Sequence, residues 1–121
     1  MIEPILTGRF GNFMFEVAAA YAYSLRHKCE YNIPRTGNGV SEGTIEKYLS
    51  WFPNIHASNP LNKNVLIWSE PSHAYHPIPY CENLRIQHYF QSEKYFSDFK
   101  KEVVALFNLP AQIKKIGRAH V

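Results

Sequence analysis

The sequence has little cysteine and no long uninterrupted hydrophobic run. Its two cysteines, Cys29 and Cys81, lie far apart and form no Cys-x-x-Cys pair, so neither a zinc site nor a disulfide framework is indicated. The longest apolar stretch, from Phe13 to Leu25, is interrupted by Glu16 and Ser24. It is shorter than the ~20 residues that a membrane span needs. This stretch is typical of a buried core helix.

Clustered positive charge and a secretory signal are also missing. Lysine and arginine number 13 against 10 acidic residues, a net charge of +3, and no basic run exceeds two residues. Nucleic acid is therefore not a predicted partner, because binding it usually requires a clustered basic face. The N-terminus has no basic region followed by an apolar core and a small-residue cleavage site. We expect a reduced, cytoplasmic protein.

What is present fits one compact α/β domain. The chain has 121 residues, of which 45% are hydrophobic and 15% aromatic, enough to bury a core. A short apolar run, Pro4-Ile5-Leu6, leads into Gly8 and Gly11, and the long apolar helix follows. Cys29 to Ile33 alternates and is predicted to form a second strand, stopped by Pro34. This strand–loop–helix–strand order predicts a doubly wound parallel sheet.

The remaining elements are predicted from shorter patterns. Thr44 is expected to cap a short helix that continues to Trp51, and Asn54 to Asn64 to form a loop. Further predictions are a strand at Val65–Trp68, irregular structure at 69–82, a strand at Leu84–Phe90 and a helix at Ser97–Asn108, which Leu109-Pro110 ends.

The glycine loop is the strongest candidate for a binding site. Gly8 and Gly11 allow a sharp turn and a close approach of ligand to backbone, and Asn12 is a favourable helix N-cap. Free amides at the start of the helix would then face an anion, and the Arg9 guanidinium suits phosphate. A tight strand-to-helix connection without any ligand explains the same residues, because Gly-x-x-Gly patterns are common.

Two other groups of residues carry possible chemistry. Gln91 and Glu93 follow a predicted strand, where α/β proteins usually place ligand-binding loops, and Glu93 is a candidate general base. Tyr95 and Phe96 are expected to pack into the core instead. His73-x-x-His76 lies in a proline-rich loop without a third ligand nearby, so no metal site is predicted.

Two blocks of this sequence resemble the α-1,2-fucosyltransferase family. Gly8-Arg9-Phe10-Gly11-Asn12, with Met14-Phe15 and Ala18 after it, is similar to the family's N-terminal Gly-Arg/Gly-Leu-Gly-Asn-Gln-Met-Phe-Gln-Tyr-Ala. The block from Tyr89 to Phe96 is similar to its later Tyr-Phe/Trp-Gln-Ser-Glu-Lys-Tyr-Phe. This chain departs from the family at Phe10, Phe13 and Glu16, where the family usually has Leu, Gln and Gln. The first block also resembles protein O-fucosyltransferases.

The resemblance implies the N-terminal lobe of a two-lobed, Rossmann-like glycosyltransferase. It implies GDP-fucose as donor, a glycan hydroxyl as acceptor, metal-independent inversion and no cofactor. Gly8, Arg9, Gly11, Asn12 and Gln91 would line the cleft where donor and acceptor meet. The family's later His-x-Arg-x-Gly-Asp segment, whose arginine neutralises the leaving GDP, does not occur among the 121 residues. We therefore expect this chain to be inactive without a C-terminal lobe.

Three further expectations concern the extent and setting of the chain. Residues 1–115 are expected to form the lobe, and 116–121 a non-native tail, because a widely used sequencing-library adapter encodes Ile-Gly-Arg-Ala-His-Val. A bacterial enzyme acting on surface glycans would lie in the cytoplasm, at the inner face of the membrane. A free-standing sugar- or phosphate-binding domain is the main alternative, and a protein O-fucosyltransferase is a second one.

Overall fold

The computed structural model describes residues 1–62 and 64–108. The elements follow one another as β1 (Ile2–Pro4), α1 (Phe10–His27), β2 (Ile33–Pro34), α2 (Glu42–Leu49), β3 (Ala57–Ser58), β4 (Leu66–Ser69), β5 (Leu84–Gln87) and α3 (Lys100–Phe107). Two short 3-10 turns, Glu93–Tyr95 and Ser97–Phe99, connect β5 to α3. Leu109-Pro110 and the predicted tail at 116–121 lie outside the described residues.

The strands form two small parallel sheets. The larger has the order β1-β5-β4, with Ile2 opposite Leu84 and Leu84 opposite Leu66. In the smaller, β2 pairs with β3. The two sheets adjoin, because the Ile2 amide donates to the carbonyl of Glu30 at 3.0 Å and the Asn32 amide donates to that of Ile2 at 2.8 Å. The predicted α/β class with a parallel sheet is confirmed.

Helix α1 is the central element of the packing. One side of it packs on the sheet, in a cluster formed by Ile2, Ala19, Ala20, Tyr23, Leu84, Ile86, Phe90 and Tyr95. The other side packs with α2 and α3, in a cluster formed by Leu6, Phe13, Val17, Ala18, Ile33, Ile45, Phe52, Ile55, Val103, Leu106 and Phe107. Burial on both sides explains why its sequence is apolar almost throughout. Within the described ranges, no helix has the length and apolar character needed to cross a membrane.

The start of α1 differs from the prediction. The helix begins at Phe10, and its N-cap is Arg9, whose side chain makes no capping hydrogen bond. Asn12 was expected to be the cap, but it lies inside the first turn. Its side-chain oxygen accepts a hydrogen bond from Gln91 instead, so a tertiary contact takes the group that capping would have used.

Several other boundaries are corrected by local hydrogen bonding. Pro34 lies within β2 rather than ending a strand before it, and the next amide, that of Arg35, donates to Ser58 at 3.0 Å. The cap of α2 is Ser41, not Thr44, since the Ser41 hydroxyl accepts from the Thr44 amide at 3.1 Å. This helix ends at Leu49, before Trp51, and the predicted loop after it contains β3.

The region around β5 and α3 also differs from its sequence pattern. The alternation continues to Phe90, but the strand ends at Gln87 because His88 and Phe90 have positive φ values of 93° and 51°. At the predicted helix start, Ser97–Phe99 forms a 3-10 turn, and α3 begins at Lys100. β4 lies one residue later than predicted, at Leu66–Ser69.

Candidate functional site

The turn after β1 requires a glycine at position 8. Gly8 has a φ of +74°, which residues with a side chain rarely adopt. A Cβ built there would lie 2.1 Å from the side-chain nitrogen of Asn12, so the turn also needs space. Gly11 differs: it lies in the first turn of α1, and a Cβ there would meet nothing within 4 Å. Of the two glycines, Gly8 makes the sharp turn that the sequence predicts.

The turn is held to α1 by hydrogen bonds to a buried carboxyl group. Glu16 is completely buried in α1, and both of its oxygens accept the Thr7 amide at 3.2 Å, while the Thr7 hydroxyl donates to Oε2 at 2.7 Å. Burial raises the pKa of Glu16 to about 8, and the hydrogen bonds from Thr7 lower it by less. The group is therefore mostly protonated at pH 7. A neutral carboxyl is close in shape and charge to the glutamine that the resembled family has here.

The two sequence blocks meet at one hydrogen bond. The Gln91 side-chain nitrogen donates to the Asn12 side-chain oxygen at 2.8 Å, across 79 positions of sequence. Gln91 is exposed and Asn12 is half-buried. Since β1 and β5 are neighbouring parallel strands, both residues lie beyond the carboxyl ends of their strands, the usual position of ligand sites in α/β proteins.

The first turn of α1 offers amides without a partner inside the helix next to this bond. The first hydrogen bond within the helix runs from the Phe13 amide to the Arg9 carbonyl at 3.0 Å. The amides of Phe10, Gly11 and Asn12 precede it and have no carbonyl within the helix to bind. The Arg9 side chain is exposed beside them. Together they form a positively polarised surface suited to a phosphate or to sugar hydroxyls.

The Glu93 carboxylate forms an ion pair with a lysine. It begins the first 3-10 turn after β5, and its carboxylate contacts the Lys100 ammonium at 3.2 Å, with both side chains about two-thirds exposed. Glu93 therefore takes part in a surface ion pair, and its role as a general base stays a prediction. Tyr95 and Phe96 agree with expectation, since Tyr95 is buried and Phe96 packs against both core clusters.

The two aromatic departures from the family pattern pack together and away from the polar bond. Phe10 contacts Trp51 and Phe52 with ring centroids 5.1 and 5.9 Å apart, and Phe13 contacts Tyr48 at 5.2 Å. They attach the first turns of α1 to α2 and its following residues. Phe13 is buried and contributes aromatic packing at a position where the resembled family usually has a polar glutamine.

The histidine pair has a simple local contact. His76 Nε2 lies 3.0 Å from the Ser72 hydroxyl. Among the described residues no group of three or more His, Cys, Asp or Glu side chains is arranged to hold a metal ion.

Sequence reasoning missed two residues that shape the site. Thr7 connects the turn to Glu16 by hydrogen bonds. The sequence signal for this contact was Glu16 itself, an acidic residue inside an otherwise apolar helix. Glu70 is the second: it is buried at the end of β4, and its Oε1 accepts the Phe90 amide at 3.2 Å. It follows a short strand whose pattern carries no sign of a buried acid.

Comparison with known proteins adds no relative. No protein-family model matches the chain, and no curated protein or solved structure matches it either. The likeness to fucosyltransferases therefore depends on the two sequence blocks quoted above.

Proposed function

We propose that this chain is the N-terminal, Rossmann-like lobe of a GDP-fucose-dependent fucosyltransferase that forms an α-1,2 linkage to a glycan hydroxyl. The observation that carries the proposal is the 2.8 Å hydrogen bond between Asn12 and Gln91. These two residues belong to the two blocks that resemble the family. Their contact at the carboxyl ends of β1 and β5 supports one shared site.

The residues have distinct roles in this proposal. Arg9 and the free amides of the first turn of α1 would bind negative charge on the nucleotide sugar, because a helix N-terminus and a guanidinium both favour phosphate oxygens. Asn12 and Gln91 hold each other in place and would offer their remaining amide groups to sugar hydroxyls. Gly8 allows the chain to turn so that these groups face the same side.

In this proposal the GDP leaving group would be stabilised by a second lobe. Neutralising the departing pyrophosphate is the main electrostatic task in this transfer, and the His-x-Arg-x-Gly-Asp segment that does so in the family does not occur in these 121 residues. The reaction as proposed needs no metal. We expect this lobe to bind its substrates weakly and to transfer fucose only together with a second lobe.

Exposed apolar surface supports a second lobe. A groove of about 280 Å³ between α1 and α3 is lined almost entirely by carbon atoms, and its lining includes Gly11, Phe15 and Val104. Leu66 and Ile67, on the edge strand β4, are 62% and 58% exposed. An exposed apolar groove usually marks an interaction site. An enzyme acting on bacterial surface glycans would work at the inner face of the membrane, and sedimentation with lipid vesicles tests that location.

A non-catalytic binding domain is the second candidate. The observation that favours it is the ion pair between Glu93 and Lys100, which occupies the carboxylate that was expected to serve as a base. Such a domain would bind a phosphorylated sugar through the same turn and would catalyse nothing with any partner.

Calorimetric titration tests the proposal. We expect GDP-fucose to bind more tightly than GDP-mannose, and Arg9→Ala and Asn12→Ala each to weaken binding about tenfold, which corresponds to about 1.4 kcal/mol. Arg35→Ala is the matched control, since Arg35 is also an exposed arginine and follows a different strand, β2. Binding that none of these variants changes would remove the turn from the site. Fucose transfer by this chain alone would contradict the need for a second lobe.

A further inference from the structure

A cavity of about 360 Å³ lies beyond the carboxyl ends of β1, β2 and β3. Its lining comes from the end of β1 at Pro4, from residues 36–38 after β2 and from residues 60–61 after β3. The Asn38 amide donates to the Leu6 carbonyl at 2.9 Å, so the loop after β2 is held beside the end of β1. Ligands of open α/β sheets bind at this edge, and the cavity is therefore a candidate for a separate binding site.

Glu3 and Arg85 both line this cavity and form an ion pair. They lie opposite each other on β1 and β5 and alternate with Ile2, Leu84 and Ile86, which pack on α1. Because side chains alternate along a strand, Glu3 and Arg85 extend from the face of the sheet opposite α1. The Arg85 side chain is 23% exposed and that of Glu3 only 2%. The arginine is thus the member of the pair that a ligand can reach.

The Arg85 guanidinium is held in one orientation through two of its nitrogen atoms. Its Nε donates to Glu3 Oε1 at 2.9 Å, and its Nη2 donates to the Leu61 carbonyl. Glu3 is held in turn, because its Oε2 accepts from Asn32 at 2.6 Å and from the Leu61 amide at 2.9 Å. Within residues 1–62 and 64–108, Arg85 Nη1 donates to no acceptor. Since a guanidinium has five N–H donors in a rigid fork geometry, the edge that includes Nη1 remains for a ligand.

The rest of the lining combines apolar walls with a few polar groups. Pro4, Pro34 and Pro60 present apolar ring surfaces to the cavity. Thr36 and Asn38 are exposed, and their hydroxyl and amide groups can donate further hydrogen bonds. The volume lies near the lower end of the ~300–1,000 Å³ range of ligand pockets, which suits a molecule with a body of about one ring.

We propose that this cavity binds a small organic carboxylate through the outer edge of the Arg85 guanidinium, with Glu3 as the residue that positions the arginine. A carboxylate matches that edge because its two oxygens accept two parallel N–H bonds. Among the described residues, Arg85 is the single cation of the lining, and Glu3 already balances its charge, which disfavours a ligand with two negative charges. The proposal does not depend on the proposed transfer of fucose, because none of these residues belongs to the candidate site.

Chemical-shift mapping of the folded, ¹⁵N-labelled chain tests the cavity directly. The probes are benzoate and acetate at millimolar concentration, and benzamide is the neutral match of benzoate in shape. We expect saturable shifts of the amides of residues 36–38 and Leu61 with at least one carboxylate. Benzamide and inorganic phosphate should each bind about tenfold more weakly than benzoate, because the first lacks the charge and the second carries too much. Absent shifts with both carboxylates would overturn the proposal, and so would benzamide or phosphate binding as tightly as benzoate.

Two variants separate binding from folding. Arg85→Lys keeps a cation beside Glu3 but replaces the planar fork with a compact ammonium, so it should weaken carboxylate binding about tenfold. Asn38→Asp adds a negative charge to the lining and should weaken binding about threefold. Asn54→Asp is its control, because Asn54 is also exposed but bonds to Ala105 on α3, and it should leave the affinity unchanged.

Each outcome of the variants decides the proposal. Wild-type affinity in a folded Arg85→Lys protein would overturn it, because the fork would then not contact the ligand. Should Arg85→Lys fail to fold, the two aspartate variants take its place. A loss confined to Asn38→Asp supports a carboxylate in the cavity, whereas equal affinities of Asn38→Asp and Asn54→Asp would contradict it.

Discussion

Two buried carboxyl groups flank the turn between β1 and α1, and their surroundings differ in kind. Glu3, on β1, is compensated by charge: its Oε1 accepts from Arg85 Nε at 2.9 Å, and its Oε2 accepts from Asn32 at 2.6 Å and from the Leu61 amide at 2.9 Å. Glu16, on α1, has only the neutral amide and hydroxyl of Thr7. The Glu3 region holds an ion pair inside the fold, whereas the Glu16 region holds a carboxyl group that is mostly neutral at pH 7.

The difference shows which part of the molecule can respond to its environment. The Glu3 network joins β1, Asn32 just before β2, Arg85 on β5 and the loop at Leu61, so it connects four segments with charge-assisted bonds. The Glu16 contact joins α1 to the turn that carries the candidate site. In the part of the chain that the structure describes, Glu16 has only Thr7 as a hydrogen-bond partner. The contribution of Glu16 to stability therefore depends on its protonation. The following predictions test this contrast.

The largest effect is expected from Glu16→Gln and depends on pH. The folded protein keeps the Glu16 proton up to about pH 8, whereas the unfolded chain releases it near 4.5. The folded state thus binds more protons in this window, and wild-type stability should fall by about 1.4 kcal/mol per pH unit, reaching at most about 5 kcal/mol. Urea unfolding of Glu16→Gln should lack this slope. A variant that keeps the full slope would show that another group titrates.

A loss of similar size is expected from Arg85→Met near pH 7. Removing the cation leaves the Glu3 carboxylate buried without its ion-pair partner, which typically costs about 3–5 kcal/mol. Arg26→Met is the matched control, because Arg26 pairs with the exposed Asp98 at 3.7 Å and should contribute about 0–1 kcal/mol. Chemical denaturation near pH 7 compares the two. Equal losses would mean that the Glu3 network is no stronger than a surface pair.

The smallest effect separates the two glycines. Gly8→Ala forces a side chain into a positive φ and against Asn12, and should destabilise the fold by about 1–2 kcal/mol. Gly11→Ala meets open space inside a helix and should stabilise it by about 0.5–1 kcal/mol. Melting temperatures that move in opposite directions confirm the assignment. A loss of the same size at both positions would contradict it.

The sequence predicted the parts of the fold that have strong local signals. The turn at Gly8, the long helix α1 and the parallel arrangement of β1 with later strands follow from glycine chemistry, apolar length and strand order. Two-residue strands such as β3 have no periodicity to detect. β5 ends at Gln87 because His88 and Phe90 have positive φ values, although the alternation of the sequence continues to Phe90.

The candidate site was predicted in part. Gly8, Arg9, Asn12 and Gln91 were named from the sequence, and the bond between the last two agrees with a shared site. The capping role of Asn12 was wrong because Gln91, 79 residues away, uses its side-chain oxygen. The role of Thr7 had one indirect signal, the acidic Glu16 inside an apolar helix, whereas the role of Glu70 depends on a tertiary contact with Phe90 that no local pattern records.

The central claim is that the turn after β1 and the loop after β5 form one ligand site. Mapping of amide chemical shifts during a titration with GDP-fucose tests it most directly. The account predicts saturable shifts at both Gly8–Asn12 and Gln91, which Asn12→Ala abolishes at both places together. Shifts at one loop alone, or none at either loop in a protein that stays folded, would contradict the claim.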